Sequence, residues 1–275
     1  MPQPRVLILR APGTNCDGET AFAFEQVGGQ ADVLHVNRLL EAPERLAEYE
    51  ILCLAGGFSY GDDLAAGRIL ASQFRHHLAD TVRGFIERDR LVLGICNGFQ
   101  VLIKAGILVS EDDRHVPEAT LTINDSGRFE DRWTRLAVQG SKCVFLKGID
   151  EMYLPVAHAE GKFVPRNGET LTRLHAENRL VLRYIALNDV APKPTDSHRW
   201  KPGALDVPPV PYPDNPNGSV ADIAGICDAT GRVLGLMPHP ERHLVPTQHP
   251  RWSRGDASPL GDGRTVFENA VRYFG

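Results

Sequence analysis

The chain has 275 residues, of which 42% are hydrophobic and 24% are charged, and its formal net charge is −5. This composition is typical of a globular protein with a sizeable core, and the acidic balance excludes a general attraction to nucleic acid or to an anionic membrane. Its five cysteines form no Cys-x-x-Cys pair, which argues against a disulfide framework and against a thiolate zinc site. We find no signal segment at the N-terminus and no apolar run of the roughly 18 residues that cross a membrane. We therefore expect a cytoplasmic protein with no metal site.

The first hundred residues alternate short apolar runs with helical patterns. Residues 5–10, 32–36, 51–55 and 91–95 predict strands, whereas residues 18–27 and a long stretch ending near Arg88 predict helices. This alternation predicts a parallel sheet, in which functional groups lie at the carboxyl ends of the strands. Asn15, the Gly56-Gly57 pair and Cys96 all follow such ends.

The segment Gly94-Ile95-Cys96-Asn97-Gly98 has the form G-x-C-x-G. It is the cysteine counterpart of the strand-turn-helix elbow that exposes a serine nucleophile, and its glycines suit the close backbone contacts of so sharp a turn. At the first turn of a helix, the helix dipole would favour the thiolate of Cys96, and the N–H of Asn97 would face a developing oxyanion. A structural cysteine in an ordinary βα turn would give the same pattern.

Two adjacent glycines follow the third predicted strand in the stretch AGGFSYGDD, which begins at residue 55. Because they let backbone N–H groups approach a ligand oxygen closely, Gly57 is a candidate for a second oxyanion donor. The alternative is a plain βα loop in which Asp62 or Asp63 caps the next helix.

The second half of the chain changes character at residue 116. Strand-like runs with short connections occupy residues 121–124, 133–138, 142–146, 153–157, 178–188 and 220–228, so we infer an antiparallel region attached to the parallel core. The run at 153–157 ends in a polar cluster at His158, for which a strand-end turn is a sufficient explanation. Residues 190–217 contain eight prolines and lack periodicity, which predicts an extended insertion or a flexible loop.

The last predicted strand, residues 233–237, leads into Pro238-His239-Pro240-Glu241. The His-x-Glu spacing can place a carboxylate beside the imidazole, where it would fix the ring tautomer and stabilise the imidazolium. Taken alone, such a turn is more often structural. Residues 265–274 predict a closing amphipathic helix.

Combined, the elbow cysteine and the downstream His and Glu provide a nucleophile, a base and an orienting acid. The pattern G-x-C-x-G-x-Q, from Gly94 to Gln100, with a Gly-Gly loop upstream and PHPER downstream, resembles the class I (triad) glutamine amidotransferases over nearly the whole chain. The stretches PGTNCDGE, GGFSYGDDLAAGRI, GICNGFQVL, VAHAEGKF, NPNGSVADIAGI and GLMPHPERH are similar to the glutaminase subunits of phosphoribosylformylglycinamidine synthases. The chain departs from that family in its proline-rich insertion and at Ala159, where the pattern has Gly.

The resemblance implies one glutamine amidotransferase domain over residues 1–275, with the insertion at about 190–217. It implies a flavodoxin-like α/β fold, in which a mostly parallel sheet is flanked by helices and carries an added antiparallel region. It also implies a catalytic triad of Cys96, His239 and Glu241, with an oxyanion hole made by Gly57 and Asn97. Three further residues would contact the substrate glutamine: Gln100, Phe58 and His158.

The implied activity is hydrolysis of L-glutamine to glutamate and ammonia, which would serve the ATP-dependent conversion of formylglycinamide ribonucleotide to formylglycinamidine ribonucleotide in purine synthesis. This chain would hold no cofactor, because ATP and Mg would be used by a partner synthetase subunit, and a small bridging subunit would be a further partner. One alternative is another cysteine hydrolase on the same sheet, which would not release glutamate in a manner dependent on His239. The other is a catalytically idle binding subunit, against which the presence of all three triad residues argues.

Overall fold

The computed structural model describes residues 3–110, 116–139, 142–187, 209–255 and 259–275. These residues form eleven β-strands: β1 (Arg5–Arg10), β2 (Gln30–His35), β3 (Ile51–Leu54), β4 (Leu91–Ile95), β5 (Ala119–Thr122), β6 (Glu130–Val138), β7 (Glu151–His158), β8 (Lys162–Pro165), β9 (Leu180–Ile185), β10 (Ile223–Cys227) and β11 (Val233–Leu236). They also form seven α-helices: α1 (Asp17–Glu25), α2 (Val36–Glu41), α3 (Arg68–Gln73), α4 (Ala79–Glu87), α5 (Asn97–Lys104), α6 (Gly168–Ala176) and α7 (Arg264–Arg272).

Nine strands form one sheet in the order β2-β1-β3-β4-β11-β10-β9-β6-β7, and β5 pairs with β8 in a separate ladder. The strands from β2 to β11 in this order run parallel, while β10, β9, β6 and β7 pair antiparallel. The residues of β3 and β4 are buried throughout, as expected for parallel strands that are covered on both faces. The predicted α/β fold with a parallel core and an added antiparallel region is confirmed.

One predicted strand is wrong. Residues 142–146 contain a short 3-10 turn, Val144–Leu146, and no strand. The backbone N–H of Val144 donates to the Gly231 carbonyl (2.9 Å) and that of Leu146 to the Cys143 carbonyl (3.1 Å). The turn buries two consecutive side chains, Phe145 and Leu146, whereas a half-buried strand would bury alternate ones. The apolar content of the run reflects packing and not β-pairing.

The long helix predicted to end near Arg88 is present in two parts. Helices α3 and α4 are joined by one π-helical turn, Phe74–Leu78, so the helical segment continues from Arg68 to Glu87. Strand β8 and helix α6 were not predicted from the sequence pattern. No helix in the described part of the chain has the length and apolar character that crossing a membrane requires.

Most of the proline-rich segment, residues 190–208, lies outside the described residues. Its end is described at residues 209–217, where Asn215 and Asn217 are buried. The Asn215 amide donates to Asp222 Oδ1 (3.0 Å), and the Asn217 amide donates to the Tyr184 hydroxyl (3.1 Å). This end of the segment is therefore packed onto the sheet beside β9 and β10.

Candidate active site

Four loops meet at the carboxyl edge of the parallel strands, where such sheets place their sites. The Cys96 N–H donates to the Leu236 carbonyl (2.8 Å), which joins the end of β4 to the end of β11. The Cys16 N–H donates to the Gly56 carbonyl (3.2 Å), and Thr14 forms an antiparallel bridge with Gly57. Backbone hydrogen bonds thus bring together loops that lie far apart in the sequence.

The elbow at Cys96 has the strained backbone that the sequence predicts. Cys96 has φ 51° and ψ −103°, an uncommon conformation for a residue with a side chain and one that recurs at functional sites. A Cβ on Gly98 would lie 2.0 Å from the Leu54 carbonyl oxygen, and a Cβ on Gly94 would lie 2.8 Å from the Gly98 oxygen. Both glycines are therefore required for α5 to begin directly against β3. The Cys96 side chain is buried, and its Sγ lies 3.8 Å from the Ala157 carbonyl oxygen.

His239 and Glu241 form a buried pair directly after β11. Nδ1 of His239 lies 2.6 Å from Glu241 Oε1, and both side chains are almost fully buried. Since the carboxylate can only accept, the proton of this bond belongs on Nδ1. Nε2 of His239 is then the atom left for chemistry, and it has no aligned hydrogen-bond partner in the described part of the chain.

The electrostatic surroundings of His239 favour its protonated form. Burial by itself lowers the pKa of His239, but the charges of Glu241 and Cys96 and hydrogen bonds to the thiols of Cys16 and Cys96 raise it, and the net pKa lies well above the ordinary value. Ligand atoms of Cys16 and His239 lie within 4.8 Å of each other, and Cys96 adjoins the strand end that leads to His239, because its N–H donates to the Leu236 carbonyl. A protonated imidazole beside a thiol stabilises the thiolate, which is the nucleophilic form of cysteine.

The predicted oxyanion donors lie on two segments that a side-chain network connects. Asn97 opens α5, so its backbone N–H has no partner within the helix. Its side-chain oxygen accepts from the Ser59 N–H (3.3 Å), and its Nδ2 donates to Asp62 Oδ1 (3.2 Å) and to Gln100 Oε1 (2.9 Å). Gly57 has φ +141°, and a Cβ there would come within 2.7 Å of a neighbouring backbone nitrogen. We call residues 55–67 the oxyanion loop.

The three predicted glutamine contacts differ in their surroundings. Gln100 is buried, and its Nε2 donates to the Glu160 carbonyl (2.6 Å), so both ends of its amide have protein partners. Phe58 is 42% exposed, with its ring 6.2 Å from that of Phe129. His158 is buried: its Nδ1 lies 3.2 Å from Asn124 Oδ1, and its Nε2 has no partner among the described residues.

His158 is neutral in this site. Burial and, secondarily, the charge of His239 lower the pKa of His158 to about 3. Because Asn124 Oδ1 can only accept, the neutral ring carries its proton on Nδ1 and presents Nε2 as an acceptor. A neutral acceptor beside the predicted triad suits an amide or ammonium donor of a substrate.

Sequence reasoning did not place Cys16 at the site. Its thiol is buried against His239, and the Arg242 guanidinium donates to its Sγ (3.1 Å). Burial raises the pKa of Cys16, although the hydrogen bond from His239 opposes this effect. Asn15, the preceding residue, follows the carboxyl end of β1, and this position in the sequence could have indicated that Cys16 lies at the site.

One group of side chains in the described residues has metal-ligand character. Ligand atoms of Cys16, His239 and Glu241 all lie within 4.8 Å of one another. His239 and Glu241 are already joined by the 2.6 Å hydrogen bond, which is the base and acid arrangement of a nucleophilic triad. We therefore interpret His239 and Glu241 as the base and acid of the predicted triad, with Cys16 beside them, and not as metal ligands.

Comparison with known proteins identifies the family. Residues 3–274 match the family model of the CobB/CobQ-like glutamine amidotransferase domain. The chain belongs to this glutamine amidotransferase family. The resemblance found in the sequence motifs is thereby confirmed over nearly the whole chain.

Relatives in the glutamine amidotransferase family cover this chain almost completely. A protein of Dehalococcoides mccartyi named phosphoribosylformylglycinamidine synthase subunit PurQ is 47% identical over 276 residues, which is 99% of this chain and 98% of the relative. A PurQ subunit of Archaeoglobus fulgidus is 38% identical and covers 98% of this chain and 96% of its own length. The structure of PurLQS from Thermotoga maritima contains a chain that matches with a TM-score of 0.70 and 29% identity, over 100% of both chains.

Proposed function

We propose that this chain is the glutaminase subunit of a phosphoribosylformylglycinamidine synthase. In this role it hydrolyses glutamine and supplies ammonia for the ATP-dependent conversion of formylglycinamide ribonucleotide to formylglycinamidine ribonucleotide in purine synthesis. The observation that carries the proposal is a strained elbow cysteine held against the end of β11, the strand that leads into a buried His239–Glu241 pair. The names of the full-length relatives agree with it.

The first half of the reaction makes a thioester. The Cys96 thiolate attacks the side-chain amide carbon of glutamine, and the N–H groups of Gly57 and Asn97 hold the oxygen that becomes negative. Nε2 of protonated His239 gives its proton to the amide nitrogen, the C–N bond breaks, and ammonia leaves. Glu241 keeps the imidazole oriented through Nδ1 while Nε2 loses its proton.

The second half of the reaction restores the enzyme. Water attacks the γ-glutamyl thioester, and neutral His239 takes a proton from that water through Nε2. The C–S bond breaks, glutamate leaves, and Cys96 returns as a thiolate beside the imidazolium. Gln100, Phe58 and the acceptor Nε2 of His158 contact the glutamine, and Gln100 also holds the Asn97 side chain.

The ammonia must reach a second active site. Ammonia released into water at neutral pH becomes ammonium, which is not a nucleophile, so a closed path to a synthetase is required. ATP and Mg are used by that synthetase subunit, a small bridging subunit completes the complex, and the complex is cytoplasmic. The chain has no Walker-type phosphate-binding motif, which agrees with placing nucleotide chemistry on a partner.

The test compares two nitrogen sources in the reconstituted synthase. With glutamine, Cys96→Ala should abolish glutamate release and product formation, whereas ammonium chloride at high pH should support product formation at the parent rate. Cys143→Ala, in a buried cysteine away from the elbow, is the matched control and should retain both activities. Glutamine-dependent synthesis by the Cys96→Ala protein would overturn the mechanism. Glutamate release without any link to a synthetase would favour an independent cysteine hydrolase.

A further inference from the structure

A cleft of about 850 Å³ lies between the helical segment that starts at Arg68 and the β5–β8 ladder. Arg68, Ser72 and Arg75 line its helical wall, and Thr120 and Thr122 line the opposite wall. The cleft is separate from the triad, whose residues do not line it. Its volume is within the range of cavities that hold ligands much larger than a single phosphate group.

The acidic groups that line the cleft are already neutralised. Glu118 Oε1 lies 3.1 Å from the Arg166 guanidinium, and the other carboxylate oxygen of Glu118 pairs with Arg173. Glu160 pairs with Lys104, whose Nζ is 3.4 Å from Oε2. These carboxylates therefore add little negative charge to the cleft.

Two further arginines that line the cleft add positive charge beyond the two that pair with Glu118. Arg68 and Arg75 are exposed, and neither has a carboxylate partner among the described residues. The cleft is thus a positive region on a chain whose net charge is −5. Such a region attracts acidic ligands and accelerates their association.

The spacing of the two arginines distinguishes between acidic ligands. Seven residues of helix separate them by roughly 10 Å along the axis, which is too far for one phosphate to bridge. An extended segment of about three residues spans the same distance. Side chains two or four residues apart lie on one face of an extended chain, roughly 7 or 13 Å apart, so two such carboxylates can each meet one guanidinium through the long arginine side chains. The hydroxyls of Thr120 and Thr122 can bond to the backbone of the same segment.

The inner end of the cleft touches the oxyanion loop. Nζ of Lys104 donates to the Ala66 carbonyl (2.6 Å), and the Ala66 N–H donates to Glu160 Oε1 (3.1 Å). The Glu160 carbonyl accepts from Gln100 (2.6 Å), whose amide holds the Asn97 side chain. A ligand that draws Lys104 or Glu160 toward itself therefore moves groups that position the oxyanion donors.

We propose that this cleft docks an acidic, extended segment of the synthetase subunit, with carboxylates on Arg68 and Arg75, and that Lys104 and Glu160 transmit docking to the oxyanion loop. The proposal rests on the proposed function, which supplies the partner. It adds the place of contact and the chemistry that the partner segment must have.

The docking test uses charge reversal in the full-length chain. Arg68→Glu with Arg75→Glu should weaken binding to the synthetase subunit at least tenfold at low salt, measured by calorimetry, and should flatten the salt dependence of binding. Basal glutamine hydrolysis and melting temperature should be unchanged. The matched control, Arg38→Glu with Arg88→Glu, changes the net charge equally at exposed positions outside the cleft and should bind like the parent.

Each outcome of the docking test either supports or overturns the proposal. Equal weakening by both double variants, or by neither, would overturn the cleft as the docking site. Saturable binding of inorganic phosphate that needs both arginines, with unchanged binding to the synthetase, would assign the cleft to a small anion and overturn the proposal. If the parent chain itself binds no synthetase, the proposed function fails, and the parent measurement alone reveals this.

A separate variant tests whether Glu160 transmits docking to the oxyanion loop. Glu160→Gln removes the charge that holds Lys104 and weakens the acceptor for the Ala66 N–H. We expect synthetase binding within twofold of the parent, but at least a threefold loss of the rise in glutaminase rate that docking produces. A Glu160→Gln protein that binds and is activated like the parent would overturn the role of this residue, because a merely structural role would alter the melting temperature without separating binding from activation.

Discussion

Nδ1 of the His239 imidazole lies 2.6 Å from the Glu241 carboxylate, and a ligand atom of Cys16 lies within 4.8 Å of the pair. Because the carboxylate orients the ring and stabilises its charged form, while the ring itself moves the proton, the two residues contribute unequally. His239→Ala should therefore lose more turnover than Glu241→Ala, by about a hundredfold, as in a comparable triad. Steady-state glutamate release in the assembled synthase measures both, and the assignment would fail if His239→Ala retained parental activity.

The pH profile provides a second measure of the same pair. Burial lowers the pKa of His239 and the Glu241 carboxylate raises it, so Glu241→Gln should lower this pKa. The alkaline limb of kcat/KM, where the imidazolium loses its proton, should then shift to lower pH. An unshifted limb in an active Glu241→Gln protein would mean that another group sets it.

His158 makes stability depend on pH in the acid range. Its pKa is lowered from 6.5 to about 3, so between these values the unfolded chain binds a proton that the folded chain excludes, and stability falls as pH falls. His239 adds no slope in this window, because its raised pKa leaves it protonated in both states. His158→Gln should flatten the loss of unfolding free energy between pH 6 and 4 in urea titrations. The exposed control His77→Gln should keep the parental slope, and a parental slope in His158→Gln would contradict the prediction.

At the level of secondary structure, the first turn of α5 packs directly against the Leu54 carbonyl oxygen at the end of β3. A Cβ on Gly98 would lie 2.0 Å from the Leu54 carbonyl oxygen, and backbone cannot yield as a flexible side chain does. Gly98→Ala should therefore lower the free energy of unfolding by about 1–3 kcal/mol or more. It should also lower glutaminase activity by displacing Cys96.

The chain offers a matched control for Gly98→Ala. Gly84 is also in a helix, α4, and a Cβ there would meet nothing within 4 Å. Gly84→Ala should stabilise the protein by roughly 0.5–1 kcal/mol, because alanine loses less backbone entropy on folding. Urea denaturation measures both variants, and equal effects would refute the steric explanation.

On the scale of the whole molecule, the oxyanion loop is held by contacts that end in the cleft, so productive geometry can depend on a docked partner. We expect low glutaminase activity from the isolated chain, rising at least tenfold when the synthetase subunit and its nucleotide substrates are added. The coupled release of glutamate measures this rise. A chain that is fully active alone and unaffected by any synthetase would contradict it.

Local patterns determined the elements that carry the chemistry. Strands β1, β3 and β4 and the elbow at Cys96 were predictable because burial on both faces, glycine placement and helix periodicity are properties of neighbouring residues. The His-x-Glu turn after β11 was predictable for the same reason. The predicted strand at 142–146 was wrong because an apolar run indicates that its residues are buried but does not indicate whether its backbone pairs with another strand.

The contacts across the site depended on the order of strands in the sheet. Tertiary structure alone places β11 beside β4, which brings His239 to Cys96, and places the end of β1 so that Cys16 also reaches His239. The same holds for the neutral state of His158 and for the network from Asn97 through Gln100 to Glu160. Sequence spacing specifies which residues share a turn, whereas strand order specifies which turns meet, and pKa shifts and close contacts arise where they meet.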